Sequence, residues 1–484
     1  MTDFQMPAPR QIDADTIRRG MHYSTLEGIF AVQYVTLTSA TLLVGFLLAL
    51  GASSAQVGLV AMFPLLNGLL QPLGAAFIHR RGGWRKGVTI GALLIDDGLW
   101  LVSLCVALLL PGTQAIVAII AVLALQQFVN AFNIVAWTSW ISDLIPASLR
   151  GRYFGRRNFI CNGLGAISAV LAGQFIDHIG QDAIWSFGVV IGLGIIFRLV
   201  SAYFLRKQPE PFPDPSVGLP LRKQFAAPFE HQPFRRYMVF SMLWGFAVQF
   251  AAPFFAVYMI RDLQITFGLV TLFAGLTTAA NLLGQRFWGP LCDRYGNQQV
   301  MRLTGLLIVF QPFWWLFAAK TGWGFYLIPL LHATGGFAWS GYLLGNFNLM
   351  VGLAPETGKT PFFGVAAALT GVFSAIAPLS AGVLADFLEA QIFPVPVWLP
   401  YGLPTLFLLS FALRLGAWGL LQRISEPVRK PRLHITYLIR DAVRSLSITQ
   451  GFNPLLHTFT IDMDEDDLTL KDVIDELLDR NDNE

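Results

Sequence analysis

Long uninterrupted apolar stretches dictate what this chain can become. Twelve of them recur, near 26–49, 55–78, 87–110, 114–141, 157–180, 184–205, 236–259, 267–288, 300–319, 323–350, 362–388 and 400–423. Each holds about 20 to 28 residues, enough for a helix to cross roughly 30 Å of hydrocarbon. The runs do not alternate polar and apolar, and they are too long for barrel strands, so helices are expected. Composition agrees, with 54% hydrophobic and 13% charged residues and a mean hydropathy of +0.56. Short connections around Gly51 and Pro111 make neighbouring helices antiparallel. The expected class is an all-α membrane protein with twelve transmembrane helices.

Charge placement predicts the orientation. With the N-terminus in the cytoplasm, the loops at 79–86, 150–157, 206–236 and 294–302 lie inside. They carry Arg80, Arg81, Arg85, Lys86, Arg150, Arg152, Arg156, Arg157, Arg206 and Lys207, against Arg261, Lys320 and little else on the other side. That asymmetry follows the positive-inside rule and puts both termini in the cytoplasm. The net charge of +3 is then a topology signal, and no nucleic-acid partner is expected. The first 25 residues are polar and no cleavable signal is expected. Cys105, Cys161 and Cys292 have no metal-site or disulfide spacing.

The chain also matches itself. At an offset of 214, Asn67, Gln71, Gly91, Asp97 and Trp100 meet Asn281, Gln285, Gly305, Gln311 and Trp314. At 209, Pro146, Arg150, Tyr153, Phe154 and Gly155 meet Pro355, Lys359, Phe362, Phe363 and Gly364, and Gly173 with Asp177 meets Gly382 with Asp386. At 216, Arg198 meets Arg414, and Glu210-Pro211 meets Glu426-Pro427. One six-helix unit is written twice, which argues for a site at the seam between two pseudo-symmetric halves. The expected organisation is a cytoplasmic segment at 1–25, six-helix bundles at 26–206 and 236–423, a linker at 207–235 and a cytoplasmic tail at 424–484.

Between the eighth and ninth spans stands Gly289-Pro290-Leu291-Cys292-Asp293-Arg294-Tyr295-Gly296. It resembles the G-x-L-x-D-R-x-G loop signature of the major facilitator superfamily. Ala75-Ala76-Phe77-Ile78-His79-Arg80-Arg81-Gly82 is similar to a degenerate copy in the first half. The resemblance covers about residues 26–425 and implies that superfamily's fold. It also implies a gating role for this stretch: Gly289, Asp293, Arg294 and Gly296, with His79, Arg80 and Gly82 in the first copy. Asp293 can face the free N–H groups of a neighbouring helix, a contact that would break when the carrier opens inward. His79, where an acid is usual, would weaken that latch in the first copy. The plainer reading is a helix stop with a topogenic charge cluster. The arginines from Arg150 to Arg157 are similarly read as a lipid or gating device, or as plain positive-inside anchoring.

In such a fold the central cavity is lined mainly by spans one, four, seven and ten. Span four carries Gln126, Asn130, Asn133, Trp137 and Trp140 on one helical face. Span ten offers His332, Trp339 and Asn346 at heptad spacing, span one offers Tyr34, and span seven offers Trp244 and Gln249. These line the expected substrate cavity; the competing reading is hydrogen-bonded packing between helices. Asp96 and Asp97 lie deep in span three, where a carboxylate is costly and normally paired. Asp97 is read as the structural partner of Arg198, which leaves Asp96 as the first candidate for proton coupling.

Apart from His332, and Glu27 at the mouth of span one, the cavity spans hold no mid-membrane charge. A phosphorylated or dicarboxylate solute would need a matching Arg or Lys there. Amides, indoles and hydroxyls suit a small neutral, zwitterionic or amphipathic solute. The expected function is secondary active transport by alternating access, with proton-coupled efflux within its scope, by a monomer in a bacterial inner membrane. The expected partners are the solute, the lipid bilayer and protons. No phosphate-binding Gly-rich loop or cofactor motif is present, so neither nucleotide nor cofactor is expected, and His332 without an acidic neighbour argues against an enzyme. The rival is a non-transporting receptor or scaffold acting through the tail, whose residues 469–480 read as a short amphipathic helix.

Overall fold

The computed structural model describes residues 14–38, 40–80, 84–180, 183–211, 228–355, 359–390 and 402–426. The first half comprises α1 (Ala14–Thr38), α2 (Ala40–Ala49), α3 (Ser54–Met62), α4 (Asn67–Arg80), α5 (Arg85–Leu109), α6 (Gly112–Leu144), α7 (Ala147–Ile179) and α8 (Ile184–Lys207). The second comprises α9 (Gln232–Gln249), α10 (Phe254–Val257), α11 (Phe267–Tyr295), α12 (Asn297–Trp315), α13 (Trp323–Leu353), α14 (Lys359–Glu389) and α15 (Leu403–Leu421). No strand occurs among the described residues. A 3-10 turn at Phe63–Leu66, with Pro64 in its first turn, joins α3 to α4 within one span.

Among the described residues, ten segments are long and apolar enough to cross a membrane. α12 and α13 fall outside that group; they carry Gln311, His332, Asn346 and Asn348, while their equivalents α5 and α6 belong to it. Large apolar side chains such as Leu108, Leu109, Leu171 and Leu283 point outward. That is the surface a lipid-solvated bundle presents.

The packing repeats with the sequence. In the first half α1 lies against α7 and α8, α5 against α6 and α8, and α4 against α6. In the second, α9 lies against α14 and α15, α12 against α13 and α15, and α11 against α13. The principal contacts between the halves are α3 with α14 and α7 with α11, each the image of the other; α14 also meets the 3-10 turn and α4, and α10 meets α2.

The buried apolar clusters divide by position. One cluster, at the end where α2 turns into α3, draws on both halves, from Leu37, Phe46 and Phe187 to Phe254, Phe267 and Phe407. Phe187 and Phe267 meet edge to face there, 5.5 Å between centroids. The other four clusters each stay within one half, as with Ile141, Leu144 and Tyr153, or Phe234, Trp244 and Tyr342.

The helices extend beyond the apolar runs at their polar ends. α7 begins at Ala147, so Arg152 to Arg157 lie on its first turns instead of in a loop. α11 continues to Tyr295, so the Asp-Arg signature is a last helical turn. Residues 81–83, 212–227 and 427–484 lie outside the described residues. With them go Gly82, much of the expected linker, and the amphipathic tail.

Candidate functional site

The duplicated Gly-x-x-x-Asp pairs sit on the seam. Spacing of four residues places Gly173 above Asp177, and Gly382 above Asp386, on one helical face. Asp177, near the end of α7, accepts from the N–H groups of Phe267 (2.7 Å) and Gly268 (2.6 Å), the opening of α11. Asp386, near the end of α14, accepts from the N–H groups of Ser54 (2.9 Å) and Ala55 (3.0 Å) and from the Ser53 hydroxyl (2.7 Å), at the opening of α3. Each half thus places a carboxylate on an orphan helix N-terminus of the other half. The glycines permit the approach: a Cβ at Gly173 would stand 2.8 Å from Phe267 O, and one at Gly382 would stand 2.4 Å from Ser54 O. Arg261 reinforces only the second contact, donating to Ser54 Oγ (3.1 Å) and to Glu389 (2.5 Å). The shared apolar cluster lies at this same end.

At the opposite end the duplicated glutamates also cap helices, but each within its own half. Glu210, beyond α8, accepts from the N–H groups of Arg85 (2.8 Å) and Lys86 (2.9 Å) at the start of α5. Glu426, beyond α15, accepts from the N–H groups of Asn297 and Gln298, both at 3.2 Å, and from Asn297 Nδ2 (2.8 Å). Gly296 turns the chain into α12 at φ +94, a value that favours glycine, and a Cβ there would be 2.7 Å from the Glu426 carboxylate. The signature's last glycine is therefore required by backbone geometry. Asp293 and Arg294 are exposed on the last turn of α11. The Arg294 guanidinium lies 5.2 Å from the Tyr295 ring centroid. Gly289 is half-buried with open space where a Cβ would go, and Arg80 is exposed. The side chain of His79 is outside the described set.

The interior of the first half holds a charged cluster, and it corrects one expectation. Arg198 on α8 reaches Asp96 (3.9 Å), not Asp97. Its guanidinium lies 3.8 Å from the Tyr34 ring centroid, and the Tyr34 hydroxyl donates to Asp96 in a short hydrogen bond. Neighbouring positions on a helix point about 100° apart, so a small error in the assumed rotation of α5 exchanges the two acids. Asp97 is 4% exposed, and neither carboxylate oxygen has a hydrogen-bond partner. A second pair escaped notice in the sequence: Arg157, expected among the loop arginines, is buried on α7 and donates to Glu27 (2.9 Å) and Ser24 O (2.9 Å). Ser201 adds a longer bond to Glu27 (3.4 Å). The signal was in the α7 register, because Arg157 is the innermost of the four arginines and Glu27 is the only acid in the apolar part of the first span.

The expected cavity residues divide into two groups. In the first half, Gln126 donates to Asp96 O (3.3 Å), Asn133 donates to Asn130 (3.3 Å), and the Trp137 ring lies 5.4 Å from Arg157. Trp140 is fully buried and donates to Pro209 O (2.7 Å), so it is a packing residue and not part of the polar stripe's open face. In the second half, Trp244 stacks on Tyr342 (5.0 Å), and Trp339 meets the same ring edge-on (5.5 Å). Asn346 accepts from Tyr237 (3.1 Å), and His332 Nδ1 pairs with Thr277 Oγ1 (2.8 Å) while its Nε2 has no partner. Gln249 closes α9 half-buried. The structure therefore gathers two separate polar-aromatic groups, one in each half.

A helical membrane bundle made of two equivalent halves joined at one end is the class that this geometry defines. Residues 28–251 match the family model described as Major Facilitator Superfamily. No curated protein matches the sequence. Among solved structures, the nucleoside transporter NupG is similar at 14% identity with a TM-score of 0.60, covering 83% of this chain and 98% of its own. A bacterial homologue of the iron transporter ferroportin is similar at 13% identity in both of its states. Its inward-facing form gives a TM-score of 0.61, covering 86% of this chain and 99% of its own, and its outward-facing form gives 0.53, covering 84% and 99%. The first half of the chain is thus similar in sequence to the major facilitator superfamily, and the whole bundle shares the fold of these solved membrane transporters.

Proposed function

We propose that this protein is a secondary active transporter that moves a small neutral, zwitterionic or amphipathic organic solute by alternating access. The described conformation is then closed at the Asp177 and Asp386 end and corresponds to an inward-facing carrier. One observation carries this reading: apolar core and carboxylate contacts span both halves at that end, while the other buried clusters are confined to single halves. Two rigid bodies hinged in this way can rock about a site between them. The higher likeness to the inward-facing ferroportin homologue than to its outward-facing form points the same way.

The solute site belongs at the seam, between the half-buried Asn130, Asn133 and Trp137 of α6 and the half-buried Trp339 and His332 of the second half, while Gln126 and Trp244 are buried behind them within their own halves. Amides and indoles grip a solute by stacking and hydrogen bonds without a matching ionic charge. Twelve crossings, with α12 and α13 counted by their packing, and both termini cytoplasmic in an inner membrane, complete the topology. Asp293 and Arg294 would act at the end that opens.

The test uses spin labels at Leu110 and Trp323, both at the closed end and in different halves. Asp177→Asn with Asp386→Asn should lengthen the distance between them and shift the population toward an open outer face. A carboxylate at a helix N-terminus is worth about 0.3–1 kcal/mol, up to roughly 2 when partly buried. Losing two therefore changes the population about three- to thirtyfold at the lower range and up to roughly a thousandfold at the upper. An unchanged distance distribution removes the proposed gate. Ligand-induced thermal shifts across a solute panel, followed by uptake into proteoliposomes, test transport itself.

A further inference from the structure

The interior of the first half does not balance its charges. Three carboxylates lie there, Glu27, Asp96 and Asp97, facing two guanidiniums, Arg157 and Arg198. Glu27 is bound by Arg157 and Ser201, and Asp96 by Tyr34 and Arg198. Asp97 is left over, as buried as Glu27 and with both oxygens unpartnered. It sits midway along the 25-residue helix α5, about 18 Å from either end at 1.5 Å per residue, where a lone carboxylate anion is most costly. The charged and titratable groups facing it are Asp96 on its own helix, Arg198 from α8 and Tyr34 from α1. The neighbouring α6 presents the neutral Gln126 to this region. The second half offers a control: Gln311 stands where Asp97 does, Phe310 where Asp96 does, and Arg414 donates to the carbonyls of Ile308 (3.0 Å) and Val248 (3.3 Å). The repeated position is thus occupied without an acid, so the fold itself does not require Asp97 to be one.

We propose that Asp97 is a proton-binding site, neutral in the conformation described here, and that Arg198 is shared between the two adjacent acids as the halves rock. A proton from water forms an O–H bond on the Asp97 carboxylate while Arg198 holds Asp96. When the Arg198 side chain swings from Asp96 to Asp97, with α5 and α8 still packed, the proton returns to water. This deepens the transport reading and rests on it for its coupling role, though the protonation state stands alone. Two adjacent acids sharing one arginine titrate as a pair, and the geometry decides which of them holds the proton.

Infrared difference spectroscopy of lipid-reconstituted protein tests this without any solute. The wild type should show a protonated-carboxyl C=O band at neutral pH that moves down on deuteration. Asp97→Asn should abolish it, Asp96→Asn should retain it, and Asp97→Glu should retain it at a shifted position. The Asn variant reproduces the shape and neutrality of the protonated acid and should melt like the wild type; if it does not fold, the shift in Asp97→Glu carries the test. A missing wild-type band, a band unchanged by either Asp97 variant, or one lost only in Asp96→Asn overturns the proposal. Such a failure leaves the transport reading in place, whereas failure of solute uptake leaves the band untouched.

Discussion

Both ends of this molecule use duplicated acids to cap helix N-termini, yet they use them for opposite purposes. At one end Asp177 and Asp386 reach across the seam, each onto a helix of the other half. At the other, Glu210 and Glu426 turn back onto their own half. The chemistry is the same: a carboxylate satisfies orphan N–H groups and meets the positive end of a helix dipole. The partner's address is what differs. If the carrier alternates, contacts between halves must be breakable, while the helix caps within a half must survive both states. A repeat therefore writes hinge parts and body parts in the same residues.

The largest effect on this comparison should come from the glycines of the crossing end. Gly173→Ala with Gly382→Ala places methyl groups against Phe267 O and Ser54 O, and overpacking costs about 1–3 kcal/mol at each site. The label distance at the closed end should lengthen more than in the double Asp variant, while each half keeps its helicity. If the distance holds, the close approach at the seam is not what limits opening.

Next in size are the within-half caps. Glu426→Gln weakens acceptance from Asn297 and Gln298, and Glu210→Gln does the same at Arg85 and Lys86. Each should cost about 1–2 kcal/mol of stability, read as a lower melting temperature. Neither should move the label distance. A shift in distance with no loss of melting temperature would break the division between hinge and body.

Arg261→Gln should do least. Its side chain is about one-third exposed, as are those of its partners Asp262 and Glu389, and exposed pairs contribute about 0–1 kcal/mol. A small opening that fades at high salt is expected, because screening already weakens the pair. An effect as large as that of the Asp variants would make Arg261 the principal latch of its side.

The two halves also differ inside, and here legibility in the sequence ran out at a specific place. The repeat itself aligned Arg198 with Arg414 and Asp97 with Gln311, and it aligned Asp177 with Asp386 and Glu210 with Glu426. It could not say that the first pair of acids would cross the seam and the second would not. It assigned Arg198 to Asp97, whereas the folded helices present Asp96 to it. It placed Arg157 among surface arginines, whereas α7 carries it inward to Glu27. In the second half, heptad spacing brought Trp339 and Asn346 to one face, but their contacts with Tyr342 and Tyr237 depend on how α9 lies against α13.

Apolar run length, charge asymmetry and internal repetition were enough to determine a helical membrane protein of two matched halves. Those properties act along one chain, and the lipid solvent enforces them on every segment separately. Which acid meets which arginine, and which helix end receives a carboxylate from the opposite half, were decided only by tertiary structure. Such contacts turn on helix rotation and crossing angle, where a single residue's displacement is about 100° of direction, and linear order carries no measure of either.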